Sequence, residues 1–224
     1  MFLPQVSFFD TLNWLARQQI HMSSRSVMPV FELLFLFAVV YVLQLITAFA
    51  DLVHELFVLQ PPILDNPWTV VTSVFAHAGV DHLLSNAVGL LILGIPIAMY
   101  TTRVRFHVFF LSAGALAGIS QIVLSDLITL VPVIGFTASP GVLGASGGVF
   151  ALLGYLLTGN RLSHWLKRVA SVPRWVVYLL FVVLAGSLTL VTASPGAALI
   201  AHFVGLLFGL VAGHFRLLDP PTTG

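Results

Sequence analysis

Hydrophobic residues in this chain fall into long blocks, not into the alternating pattern of a half-buried strand or the one-sided stripe of a soluble helix. Six such blocks stand out, at roughly residues 30–49, 82–100, 106–130, 146–158, 175–192 and 197–215. Each predicts an apolar helix. Five are of a length to span a hydrocarbon core of about 30 Å at about 1.5 Å per residue. The fourth is not: it has only 13 residues before Asn160 and Arg161 end it, which is about 20 Å of helix. A helix that short must begin inside the bilayer, and this one begins with Gly144-Ala145-Ser146-Gly147. Irregular backbone at that depth survives only where protein covers it or water reaches it.

The polar breaks between blocks carry their own pattern. The connection over residues 51–81 is long and too apolar for a solvated loop, with Leu52, Val53, Leu56, Phe57, Pro61-Pro62 and Pro67-Trp68. It is expected to lie in the outer interface with Trp68 as an anchor. The stretch over residues 131–145 is rich in Gly and Pro and is expected to dip inward to meet the short helix. The first 28 residues lack the three-part pattern of a cleaved signal. Phe8, Phe9, Leu12, Trp14 and Leu15 there suggest a short interfacial helix.

Composition makes the membrane reading firm. The chain has 224 residues, 58% hydrophobic and 8% charged, with a mean hydropathy of +1.05, whereas soluble domains carry about 25% charge. The expected fold is all-α: a polytopic membrane protein, a six-transmembrane-helix bundle with a short central fourth helix. Residues 1–28 form a cytosolic or interfacial segment, 29–216 the membrane core and 217–224 a short cytosolic tail.

Charge then fixes an expected orientation. All nine basic residues (Arg17, Arg25, Arg103, Arg105, Arg161, Lys167, Arg168, Arg174 and Arg216) fall on one side if six spans are right. The positive-inside rule puts that side, and both termini, in the cytoplasm. The other side carries Asp51, Glu55, Asp65 and Asp81. The net charge of +1 says nothing about nucleic acid, but no basic stripe exists and no nucleic-acid partner is expected. The absence of cysteine excludes disulfides, thiolate metal sites and cysteine nucleophiles. His54-Glu55 has no second histidine at the zinc spacing, and no aspartate pair lies in facing spans. No metal or cofactor is expected.

In that orientation the second, fourth and sixth spans run inward from the outer face. His82 and Asn86 on the second, Ser146 on the fourth and His202 on the sixth then lie at similar depth. Polar groups inside a membrane are costly and are functional candidates for that reason. His202, Gly205 and Gly209 share one helix face. Glycine there, and Gly144, Ala145, Gly147, Gly148 and Ala151 on the fourth span, let two backbones approach. Meeting of those faces brings His202 to Ser146, as a serine nucleophile and its base require. Phe150, one turn after Ser146, can stack on the imidazole. His82 and Asn86, with unpaired N–H groups at a helix start, can form an oxyanion hole. Neither Asp126 nor Glu32 has an obvious place beside His202, so a dyad is expected and not a triad. His21, His54, His77, His107, His164 and His214 read as interfacial or solvated, with His77 near enough to help order the loop.

These residues resemble the rhomboid family of intramembrane serine proteases. Gly144–Gly147 matches its G-x-S-G motif, Ala201-His202, Gly205 and Gly209 match A-H-x-x-G-x-x-x-G, and His82 and Asn86 match H-x-x-x-N. The resemblance implies that Ser146 is the nucleophile and His202 the general base. His82, Asn86 and the backbone N–H groups of Ala145 and Ser146 would stabilise the oxyanion, with Gly144, Gly147, Phe150, Gly205 and Gly209 in support. It implies hydrolysis of single-span protein substrates near the outer ends of their helices, in a cell membrane, with the site open to the outer face and lateral entry beside the fifth span. The alternative is an inactive relative that binds membrane helices. Many members carry Trp-Arg in the first outer loop; here Trp68 is followed by Thr69, so that arginine contact is missing.

Overall fold

A computed structural model describes residues 26–130, 138–159, 173–191 and 198–219. Among these residues there are eight helices and no strand: α1 (Met28–Ala48), α2 (Val53–Phe57), α3 (Thr69–Phe75), α4 (Val80–Ala98), α5 (Arg103–Thr129), α6 (Ser146–Gly159), α7 (Arg174–Val191) and α8 (Leu199–His214). Six of them match the six hydrophobic blocks to within a few residues, and α2 and α3 lie in the connection between the first two blocks. Helices α1, α4 and α5 are long and apolar enough to cross a membrane, whereas α6, α7 and α8 are apolar but shorter. The block expected from residue 197 becomes a helix of 16 residues that starts at Leu199. Among the described residues, length and composition thus mark three helices as able to cross. The aromatic N-terminal segment, Arg17, Arg25, Arg161, Lys167, Arg168 and residues 131–137 lie outside the described residues.

Helices this apolar have no polar face to mark their outside, so small residues decide which faces meet. Helix α6 packs most extensively on α8, and also on α5 and α4. A Cβ added at Gly205 would strike the Gly147 carbonyl oxygen, and one at Gly209 the Ala151 carbonyl oxygen. Gly154 faces the Leu206 carbonyl in the same way. Thr158 Oγ1 closes the pair by donating to the Leu210 carbonyl at 2.8 Å. Helix α7 is held more lightly, against α8 through Phe181 and Ala185 on Leu206 and Leu210.

The connection between α1 and α4 is folded and tied down without an arginine at position 69. Trp68 Nε1 donates to the Glu55 carbonyl at 2.9 Å, and Thr72 Oγ1 donates to the Leu56 carbonyl at 2.5 Å. Leu59 and Val142 exchange backbone hydrogen bonds of 3.0 and 2.8 Å, which joins this connection to the segment before α6. Thr69 itself is buried and donates to the Asn66 carbonyl at 2.6 Å. At the opposite end of α6, Tyr155 donates to Asp219 at 3.1 Å. Thr101 donates to the Leu218 carbonyl at 2.7 Å, and Arg105 donates to the Asp219 carbonyl. Glu32, one of the two acids considered near the membrane, pairs there with Arg103 at 2.8 Å and His107 at 3.2 Å.

Candidate active site

Gly144 sets the entry to α6. Its φ of +128° lies where side chains are rarely tolerated. A Cβ there would also sit 2.6 Å from His82 Cε1 and 2.8 Å from His82 Nε2. Two independent constraints thus require glycine. Its N–H donates to the Ser73 carbonyl at 2.9 Å, which fastens the turn to α3. Ala145 is fully buried, and Ser146 opens the helix, so the N–H groups of the first turn have no acceptor within it.

The close α6–α8 approach delivers His202 to the same point. His202 Nε2 lies 3.1 Å from Ser146 Oγ. Phe150 stacks on the imidazole, with ring centroids 4.4 Å apart and planes inclined by 18°. The other ring nitrogen, Nδ1, is buried without a hydrogen-bond partner among the described residues. No described acid therefore orients this histidine; the stacked phenyl ring holds its plane instead. Asp126 does not reach it, and its backbone carbonyl accepts from Thr129 Oγ1 at 2.6 Å.

His82 takes one tautomer. Its Nδ1 accepts from the Ala78 N–H at 3.4 Å, so Nε2 carries the proton, on the side of the ring that faces Gly144. Asn86 is buried on the next turn of α4, its Nδ2 donating to the His82 carbonyl at 3.1 Å. The structure thus gathers Ser146, His202, Phe150, Gly147, Gly205 and Gly209 into one contact set. It places His82 on Gly144 and Asn86 one turn behind His82.

His77 departs from its sequence reading. Its place beside His82 agrees with a position near the site, but at 2% exposed it is not solvated. Its ring meets Phe37 at 5.0 Å and His82 at 5.2 Å between centroids, both edge-on. Burial, and secondarily the neighbouring His82, pushes its pKa from 6.5 down to about 4, so it is neutral at pH 7. The misreading has a physical origin: His77 lies outside the apolar blocks, and only the fold of residues 51–81 over α1 covers it.

Two glutamines went unread as well. Gln121 on α5 accepts from the Ala201 N–H at 3.1 Å. Ala198, at the N-cap of α8, offers no side-chain cap, so this cap is supplied from another helix beside His202. Gln44 on α1 bonds to the backbone of His77. The available signal was a side-chain amide within an apolar block, which needs a buried partner.

The Rhomboid domain family matches residues 65–218, more than half of the chain. Human Rhomboid-related protein 3 is 31% identical over 108 residues, covering 48% of this chain and 24% of that protein. Rhomboid-type serine protease 2 of Gibberella zeae is 27% identical over 166 residues, 72% of this chain and 58% of that protein. RHOMBOID-like protein 6, mitochondrial, of Arabidopsis thaliana is 26% identical over 153 residues, 68% of this chain and 45% of that protein. The matches thus span from about a quarter to somewhat over half of these relatives' lengths. With its apolar helices the chain is a multi-pass membrane protein, and it belongs to the rhomboid family.

Proposed function

We propose that this chain is an intramembrane serine endopeptidase that works through a Ser146–His202 dyad. The observation that carries the reading is the 3.1 Å contact between Ser146 Oγ and His202 Nε2, made at the start of a helix of 14 residues. Ser146 Oγ attacks the carbonyl carbon of the scissile peptide bond while His202 Nε2 takes its proton. The oxyanion that forms is stabilised by the N–H groups of Ala145 and Ser146, by the Nε2–H of His82 and by Asn86 once its amide turns from the His82 carbonyl. His202 then gives its proton to the leaving amine, which departs and leaves an ester on Ser146. Water, activated by the same imidazole, hydrolyses that ester and regenerates the serine.

The substrates are single-span membrane proteins, cleaved near the outer ends of their helices. Lateral entry beside α7 is supported by its light attachment and by an apolar groove of about 550 Å³ lined by Leu124, Leu127, Gly186, Leu190 and Phe203. The core crosses the bilayer six times, with both termini in the cytoplasm and the site open to the outer face. Retention of both Ser146 and His202, in contact, favours this reading over that of an inactive helix-binding relative.

The test uses purified protein in detergent, a fluorescent single-span substrate and a fluorophosphonate probe. Ser146→Ala and His202→Ala should remain folded and lose cleavage, and Ser146→Ala alone should remove the labelled residue. Asn86→Ala should slow cleavage by about 10²–10³, the usual effect of losing one oxyanion donor. Cleavage by Ser146→Ala at the wild-type rate would reject the dyad, and an unslowed Asn86→Ala would remove Asn86 from the oxyanion site.

A further inference from the structure

Residues 73–82 form the wall of the Ser146 site from the α3–α4 side, and they touch the G-x-S-G turn twice. The Ser73 carbonyl accepts from the Gly144 N–H at 2.9 Å, and the His82 ring lies against the Gly144 α-carbon. Between those contacts the chain passes through His77, and there a side chain from α1 grips it. Gln44 Oε1 accepts from the His77 N–H at 2.9 Å, and Gln44 Nε2 donates to the His77 carbonyl at 3.2 Å. One amide thus satisfies both backbone groups of one residue. Gln44 is 6% exposed and His77 is 2% exposed, so the pair is closed to competing solvent.

We propose that Gln44 is a positioning residue: its two hydrogen bonds to the His77 backbone fix the His77 ring and, through it, the placement of His82 against the G-x-S-G turn. The geometry leaves little else for that task. Neither His77 ring nitrogen makes a well-formed hydrogen bond to a described residue, and the polar neighbour it has, the Phe75 backbone, is two positions away in the same segment, so the ring's own polar contacts do not tie it to another helix. The ring is held by its edge contacts with Phe37 and His82 and by the backbone that carries it. Phe37 and Gln44 both belong to α1, so α1 is the outer support of the His82 side of the site. That helix lies wholly before the residues matched by the family, 65–218. Without the amide, two buried backbone groups lose their partners, and the least costly relief is a shift of residues 76–79. That shift moves His82 Nε2 off its line to the turn, and displacements of about 1 Å at a reacting centre can cost about a hundredfold in rate.

The proposal rests on the dyad reading, and its test separates the two. Wild type, Gln44→Leu, Gln44→Glu and Tyr155→Phe are compared as full-length protein in detergent, well below each variant's unfolding temperature. Two measurements are made: kcat and KM for the single-span substrate, and the histidine side-chain ¹⁵N spectrum. Gln44→Leu should lower kcat by about tenfold or more with KM nearly unchanged, and should shift the His77 and His82 ring signals but not that of His107. Gln44→Glu, protonated when buried, keeps an acceptor and a donor in the same places and should recover most of kcat. Tyr155→Phe, which removes a bond at the far end of α6, should lower thermal stability and leave kcat unchanged. Should Gln44→Leu fail to fold, Gln44→Asn, one methylene too short to span both groups, carries the same comparison. An active wild type with kcat and His82 signals unmoved by these variants overturns the positioning role alone. An inactive wild type whose His82 signal moves removes the dyad reading and leaves the placement role standing; an inactive wild type with no such movement overturns both.

Discussion

Gly144 and His77 show how differently two neighbouring residues of one site can be encoded. Gly144 is legible in the sequence because the G-x-S-G spacing marks a tight entry to a short helix, and the left-handed φ and the His82 contact give the physical reason. His77 is not legible, because its burial comes from the packing of distant segments. Its titration yields a prediction. A histidine whose pKa falls from 6.5 to about 4 on folding is neutral when buried, whereas the unfolded chain takes up a proton between those values. Its contribution to stability is therefore complete above about pH 6.5 and is lost as pH falls toward 4. Thermal unfolding of wild type in detergent should show this loss between pH 7.5 and 5. His77→Phe, of similar shape and unable to titrate, should show a shallower slope. Parallel pH dependences in the two proteins would count against a neutral buried His77.

At the scale of elements, the α6–α8 pair is the contact on which the site depends. Both helices are apolar all round, so hydrophobicity cannot select the face; glycines in register do so, by letting one backbone rest on the other. Gly209→Val places atoms where the Ala151 carbonyl already lies. Overpacking commonly costs about 1–3 kcal/mol, and a collision with backbone should reach at least the upper end. Separation of the helices also draws His202 from Ser146, so cleavage should be lost together with stability. Gly186→Ala on α7 is the contrast: an added Cβ meets nothing within 4 Å, and stability should stay within about 1 kcal/mol of wild type. A Gly209→Val protein as stable and active as wild type would show that the helices do not need this approach. The glycine register was readable from spacing on each helix alone. The trans cap from Gln121 on the Ala201 N–H was not, because it joins helices 80 positions apart in the chain.

For the whole molecule, the charge pattern makes a prediction that helix length cannot. Among the described residues three helices are long enough to cross a membrane and three are shorter; with those three alone the basic residues after α5 would lie opposite the others, whereas all nine share one side if all six helices cross. The chain has no cysteine, so single introduced thiols report topology without background. Asp65→Cys, in the α2–α3 connection, should react in intact cells with a maleimide that cannot cross the membrane. Val104→Cys, at the start of α5 and 71% exposed, should react only after the cells are opened. Labelling of Val104→Cys in intact cells would reverse or break the assigned orientation.

The sequence alone determined the helical blocks, the shortness of α6 and the small-residue faces that carry Ser146 and His202. These follow from local quantities: the length of an apolar run, its polar stops and the 3.6-residue spacing of glycines along a helix. Only the tertiary structure decided which polar side chains hold those blocks in place. Gln44 on His77, Gln121 on Ala201 and the Trp68, Thr72 and Leu59 ties that anchor the loop without an arginine all join segments far apart in the chain. A hydrogen bond between distant segments leaves no periodicity behind, so a buried amide announces that it needs a partner without saying which.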